Sequence, residues 1–170
     1  MRPLFRDYPE LEASVPHRPL AELPTPVESM ALTDNAWIKR DDLTHPVYGG
    51  NKIRKLEFII ADALAKGKKR IITFGATGTN HGVATALMCR EAGLDCTVLL
   101  FDQPVTATVR RNLCLMQALG ARLEYRGTLA RTVASFYLHP LRLRRDSYFL
   151  FAGGSSLEGT LGFVKAALEV

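Results

Sequence analysis

The run Gly49-Gly50-Asn51-Lys52-Ile53-Arg54-Lys55-Leu56-Glu57 joins a glycine turn to the start of a helix and puts a lysine at the junction. From Ile53 to Lys66 the chain carries helix formers with neither proline nor glycine, and Asn51 is a residue type suited to the N-cap. Apolar residues recur as Ile53, Leu56, Ile59, Ile60, Ala63 and Leu64, and helical spacing puts Lys52 on the stripe of Leu56, Ile59 and Ala63. Arg54 and Lys55 fall on the flank. Burial and the positive end of a helix dipole both disfavour an ammonium, which makes Lys52 a candidate nucleophilic amine. On spacing alone, the alternative is a lysine whose stem packs while its ammonium reaches water.

Beyond this helix the chain settles into an alternation. Strands are predicted at Arg70 to Phe74, Cys96 to Phe101, Arg122 to Tyr125 and Tyr148 to Phe151. Helices are predicted at Val83 to Glu91, Thr108 to Leu119 with Gly120 as its stop, Leu129 to Tyr137, and from Leu157 onward. Strands alternating with helices of this length predict an α/β fold, a four-stranded parallel sheet with helices on both faces. Ahead of them, Pro3, Pro9, Pro16, Pro19, Pro24 and Pro26 predict an extended arm over residues 1–30, followed by a short strand from Ala36 to Arg40.

The chain has 170 residues, 47% apolar and 23% charged, which suits one well-cored globular domain. Its 22 basic and 17 acidic residues give +5, but the basic residues are dispersed apart from Arg142, Arg144 and Arg145. Without an aromatic platform or zinc spacing this argues against nucleic acid as the partner. Cys89, Cys96 and Cys114 form no CxxC pair, so reduced thiols in the cytoplasm are expected. The N-terminus has no apolar signal region and no run is long enough for a membrane span. Asp41 and Asp42 lack partner ligands at metal spacing and are read as capping residues and loop salt bridges, so no metal is expected.

Gly-Gly-Asn-Lys-x-Arg-Lys-Leu-Glu resembles the lysine segment of the pyridoxal-phosphate enzymes of the tryptophan-synthase-β type (fold type II), in the branch of D-cysteine desulfhydrase and 1-aminocyclopropane-1-carboxylate deaminase. The resemblance runs from Leu23-Pro24-Thr25-Pro26-Val27-Glu28 through Ile38-Lys39-Arg40-Asp41-Asp42-Leu43-Thr44 to Gly153-Gly154-Ser155-Ser156 and Leu161-Gly162-Phe163. It implies that Lys52, beside Asn51, carries pyridoxal 5'-phosphate as a Schiff base and serves as the catalytic amine. The implied reaction is the breakdown of a small amino acid: D-cysteine to pyruvate, sulfide and ammonia, or the cyclopropane amino acid to 2-oxobutyrate and ammonia.

Two loops join a strand to a helix and offer free N–H groups to an anion. The first, Gly75-Ala76-Thr77-Gly78-Thr79-Asn80-His81-Gly82, matches neither GxGxxG nor GxxxxGK[ST]. A plain tight turn accounts for it equally well on composition. The resemblance makes Asn80 a donor to the cofactor's 3-oxygen and Thr79, Asn80 and His81 the receivers of the substrate carboxylate, with Thr79 standing where those relatives have serine. By itself, His81 in a first helical turn is expected to be solvated. In the second loop Ser155 and Glu158 are read as a capping box. Tyr48, before the glycines, either packs or flanks the cofactor.

The resemblance divides the chain into residues 1–66, an arm and lysine helix belonging to a large domain, residues 67–156, a small α/β domain, and residues 157–170, the start of a return to the large domain. In that family a second half supplies the phosphate loop, the partner of the pyridine nitrogen and a tyrosine. This chain is therefore expected to be an N-terminal half, completed by that missing half or by homo-oligomer formation. A catalytically incompetent α/β binding or assembly module is the alternative function, and an anion-binding domain built on the Gly75 to Gly82 loop is a third.

Overall fold

The computed structural model describes residues 3–31 and 35–170. In chain order the elements are α1 (Pro3–Asp7), β1 (Val27–Ser29), β2 (Trp37–Lys39), α2 (Asn51–Ala65), β3 (Arg70–Ala76), α3 (Asn80–Ala92) and β4 (Asp95–Phe101). They continue with α4 (Ala107–Ala118), β5 (Arg122–Gly127), α5 (Leu129–Tyr137), β6 (Ser147–Phe149) and α6 (Leu157–Ala167). Short 3-10 turns lie at Pro9–Leu11, Asp41–Leu43, Pro140–Leu143 and Ala152–Gly154.

The sheet is parallel and four-stranded, in the order β5-β4-β3-β6. β3 pairs with β4 from Arg70↔Asp95 to Ala76↔Phe101, and on its other side with β6 from Arg70↔Ser147 to Ile72↔Phe149. Successive strand residues point to opposite faces, and the two cores follow that alternation. Ile71, Cys96, Val98 and Leu100 join α2 and α3 through Ile53, Leu56, Val83, Leu87 and Met88. Ile72, Phe74 and Leu99 pack on Phe136 of α5. Helices cover both faces, as the sequence predicts for an α/β sheet.

Three local expectations are corrected. The arm is not wholly extended: α1 forms within it, and Leu4 and Phe5 are buried against Phe58 of α2. Apolar burial offsets the break-prone composition, and Pro3 stands at the first helical position, where its missing N–H costs no bond. Residues 1 and 2 of the arm lie outside the described residues. The arm also supplies β1, which pairs antiparallel with β2 through Glu28↔Ile38.

The second correction concerns α2. Lys52 is half-buried, whereas Arg54, expected on the flank, is fully buried, and so is Glu57. The helix is enclosed on more than one side: it packs on α3 and, on another face, on α6 and α1. The buried charges are paired. Arg54 bonds Asp41 and Glu169, and Glu57 accepts from Lys165 and from the Leu20 and Ala21 N–H groups. Asp42 makes a salt bridge within the loop, to Arg40, whereas Asp41 pairs with Arg54 of α2.

Third, the N-caps shift by one residue. Gly50 rather than Asn51 precedes α2, with φ of 136°, a conformation that favours glycine. The Thr44 hydroxyl accepts from the Gly50 N–H at 2.9 Å, and a Cβ on Gly49 would lie 1.8 Å from the Asp42 carbonyl oxygen. The glycine pair thus lets the turn close onto the preceding loop and hands Asn51 to the helix as its first residue. At α6 the cap is Ser156, whose hydroxyl accepts from the Gly159 N–H at 3.1 Å, so the Ser155 and Glu158 capping box does not form.

Candidate functional site

In the sheet, β4 and β5 lie to one side of β3 and β6 to the other, so the loops after β3 and β6 diverge. The carboxyl ends of such strands border the crevice in which open α/β sheets usually bind ligands. There the Ala152–Gly154 turn lies against α2 and α3, and a Cβ on Gly154 would meet Lys55 and His81.

The β3 to α3 loop is built by its own side chains. Thr79 is the N-cap, its hydroxyl accepting from the Gly82 N–H at 3.1 Å. Its methyl occupies the space that a Cβ on Gly82 would enter, at 2.4 Å. The extra carbon that threonine brings relative to serine is therefore housed by a glycine. Asn80 is exposed at the helix start, and its Oδ1 accepts from Asn112 of α4 at 3.0 Å.

His81 departs from expectation. It is 6% exposed rather than solvated, because α3 packs this face onto the sheet and under the Gly153–Gly154 turn. Its Nε2 lies 2.9 Å from Thr73 Oγ1, while Nδ1 is buried without a partner. Burial first, then the charges of Lys52 and Lys55, bring the imidazole down to about 4, so it is neutral near pH 7. Lys52 stands in the first turn of α2, and its charge contributes to that lowering.

Lys55, one helical turn on, donates to the Gly153 carbonyl at 3.2 Å and lies 5.2 Å from the centroid of the Phe163 ring. Burial and the neighbouring charge of Lys52 lower its proton affinity. Lys52 itself has no ion-pair or hydrogen-bond partner of this kind among the described residues.

The structure places Thr79, Asn80 and His81 at the start of α3 and Lys52 in the first turn of α2, with Asn51 exposed beside Lys52. Tyr48 is half-buried and packs against the main core; burial pushes its phenol up, partly offset by Arg111 and Asn112. Lys55, Thr73, Gln103 and Asn112 escape the sequence reading. For Asn112 a signal exists: it shares the apolar stripe of α4 with Val109 and Met116, three and four residues away. A buried amide on such a stripe needs partners, and these lie in the loop after β3.

Among the described residues no group of three or more metal-ligating side chains occurs. No helix among them is long and apolar enough to cross a membrane.

Comparison with known proteins agrees with this fold. D-cysteine desulfhydrases of Salmonella paratyphi B and Salmonella newport are each 36% identical over 168 residues, covering 91% of this chain and 51% of theirs. A crystal structure of an ACC deaminase homologue superposes with a TM-score of 0.81 at 31% identity, covering 99% of this chain and 52% of its own. The chain thus spans about half the length of the curated relatives it matches. The profile of the pyridoxal-phosphate dependent enzymes matches residues 18–170, nearly the whole chain, and the chain belongs to that family.

Proposed function

We propose that this chain carries the lysine half of a pyridoxal-phosphate-dependent lyase or deaminase that breaks down a small amino acid, D-cysteine or 1-aminocyclopropane-1-carboxylate. The observation that carries the reading is the placement of Lys52 and Lys55 in the first turns of α2, with Lys55 donating to the Gly153 carbonyl and lying, like His81 at the start of α3, against Gly154. The donor set fits the cofactor: an amine for its carbonyl carbon, helix N–H groups and ammonium charge for its anionic oxygens, and an orphaned buried His81 Nδ1 on the inner wall.

Lys52 is assigned as the catalytic amine, with Asn51 and Asn80 flanking the cofactor. When bound, pyridoxal phosphate supplies an electron sink next to the amino acid's α-carbon. The chain supplies the rest. Lys52 Nζ, once free and neutral, takes the α-proton and returns it. The N–H groups at the start of α3, with the Thr79 hydroxyl, receive the substrate carboxylate, and the helix dipole favours that anion. Asn80 donates from its side-chain amide to the ring oxygen. His81, neutral, contributes its backbone N–H and walls the crevice without adding a charge.

In the same reading, residues 1–66 and 157–170 belong to a large domain and residues 67–156 to a small one. The large domain is completed by a further segment or a second copy. A second reading, an α/β binding or assembly module, is favoured by the apolar side chains exposed on the β1–β2 hairpin, where Trp37 is 67% exposed.

An absorbance titration with pyridoxal phosphate separates the two, run alongside Lys52→Ala and followed by borohydride reduction and mass mapping. A visible band trapped on Lys52 and absent from the variant supports the enzyme, and D-cysteine and the cyclopropane amino acid are then assayed. Absence of any Lys52 adduct hands the function to the assembly module.

A further inference from the structure

Asn112 projects from α4 and is 2% exposed, yet its amide is spent on the loop after β3. Nδ2 lies 2.8 Å from the Gly78 carbonyl oxygen, which can only accept, so the orientation of this amide is fixed by a main-chain group. The Asn80 atom 3.0 Å from the same Nδ2 must then be the acceptor Oδ1. Both hydrogens of Asn112 Nδ2 are used, and the Asn80 amide is left with its NH2 end turned away from Asn112. Gln103 closes the clamp from the other side, its Oε1 accepting from the Gly78 N–H at 3.2 Å.

An exposed asparagine at a helix start otherwise samples both amide orientations, offering a donor in one and an acceptor in the other. We propose that Asn112 is a positioning residue that locks Asn80 with its NH2 available to the crevice, so that the site presents a donor to the cofactor's ring oxygen. This rests on the pyridoxal-phosphate reading. Asn112 touches neither cofactor nor substrate; it acts through Asn80 and through the Gly78 peptide that precedes Thr79.

Asn112→Asp tests it, because the substitution keeps the shape and replaces the donor with a carboxylate. Asn80 then turns its NH2 toward that carboxylate and its Oδ1 toward the crevice. The expected result is a loss of about tenfold or more in pyridoxal-phosphate affinity, the scale of one hydrogen bond that becomes a repulsion. The absorbance maximum and its pH dependence shift with it, since the ring oxygen loses its donor. In an Asn80→Ala background the same substitution has no further effect on affinity or band. A residue that merely packs α4 lowers the melting temperature and leaves band and affinity unchanged, or adds its loss in that background; either result overturns the proposal.

If Asn112→Asp does not fold, side-chain amide 15N spectra of the unaltered chain decide. Slow exchange of both Asn112 NH2 protons with fast exchange at Asn80 supports the lock, and fast exchange at Asn112 overturns it. Uptake of no cofactor by the unaltered chain defeats the enzyme reading and this role together. Normal uptake with an indifferent Asn112→Asp defeats this role alone.

Discussion

Arg54 and Glu169, separated by 115 positions in the chain, meet as a two-pronged ion pair: Nη1 to Oε1 is 2.9 Å and Nη2 to Oε2 is 3.0 Å. Arg54 Nε and Nη2 also reach Asp41, and Nη2 reaches the Thr25 hydroxyl. Lys39 adds a second cation to Glu169 at 3.0 Å. The cluster ties α2, the chain before it and the end of α6 to one another beneath the helix that bears Lys52.

Arg54→Met takes the guanidinium from Asp41 and Glu169 and leaves Glu169 with Lys39 as its cation. Unpairing a buried charge of this kind costs about 3–5 kcal/mol. Urea denaturation should show a midpoint lowered accordingly, and Arg54→Met combined with Glu169→Leu should recover part of it. A single variant as stable as the original chain would mean that the cluster carries no structural weight.

At Gly162 the two helices touch. A Cβ there would lie 2.5 Å from the Arg54 carbonyl oxygen, so Gly162→Ala forces α6 away from α2. We expect about 1–3 kcal/mol of destabilisation from the overpacked contact, read by thermal unfolding. An unchanged melting temperature would contradict the close crossing.

Two buried groups set two acid windows. The His81 imidazole takes its proton at about 4 in the fold, against about 6.5 when unfolded. The unfolded chain therefore binds the proton first, and the stability that depends on the neutral ring is intact above about 6.5 and lost as pH falls toward 4. His81→Gln should remove a pH-dependent contribution on the order of 3 kcal/mol between those values. Glu57 titrates lower. Burial alone would raise its carboxyl, but His17, the Lys165 ammonium and the Ala21 N–H bring it to about 2. Its contribution is complete above about 4.5 and disappears as pH falls to 2. Glu57→Gln should flatten that lower window and leave the His81 window in place.

Thr79 offers a paired test at the crevice. Thr79→Ser keeps the hydroxyl that caps α3, and Thr79→Val discards it while keeping the shape. The valine variant should lose about 1 kcal/mol of stability and weaken binding of an amino-acid carboxylate. The serine variant should stay within a few tenths of a kcal/mol of the original. Equal behaviour of the two in calorimetry and substrate titration would remove the hydroxyl from both roles.

Lys52 is legible because a short motif fixes a local arrangement, a glycine turn followed at once by a helix. The strand and helix alternation is legible for the same reason: period-2 and period-3.6 patterns report which face of each element is buried. Arg54, His81 and Asn112 are not legible in that way. Each is polar and buried, and its partners come from other elements: Glu169 for Arg54, Thr73 for His81, Gly78 and Asn80 for Asn112. The cap at Ser156 likewise depends on the path of the chain through the Gly153–Gly154 turn.

The sequence by itself determined the parallel α/β layering, the helix that carries Lys52 in its first turn and the family, because these rest on local periodicity and on a contiguous motif. Only the tertiary structure decided that α2 is enclosed on several sides, that His81 is buried rather than solvated, and that Asn112 hydrogen-bonds the Gly78 carbonyl and the Asn80 amide. The reason is physical: the cost of burying a charge or an amide depends on partners that the fold delivers from distant positions, and no local pattern encodes that meeting.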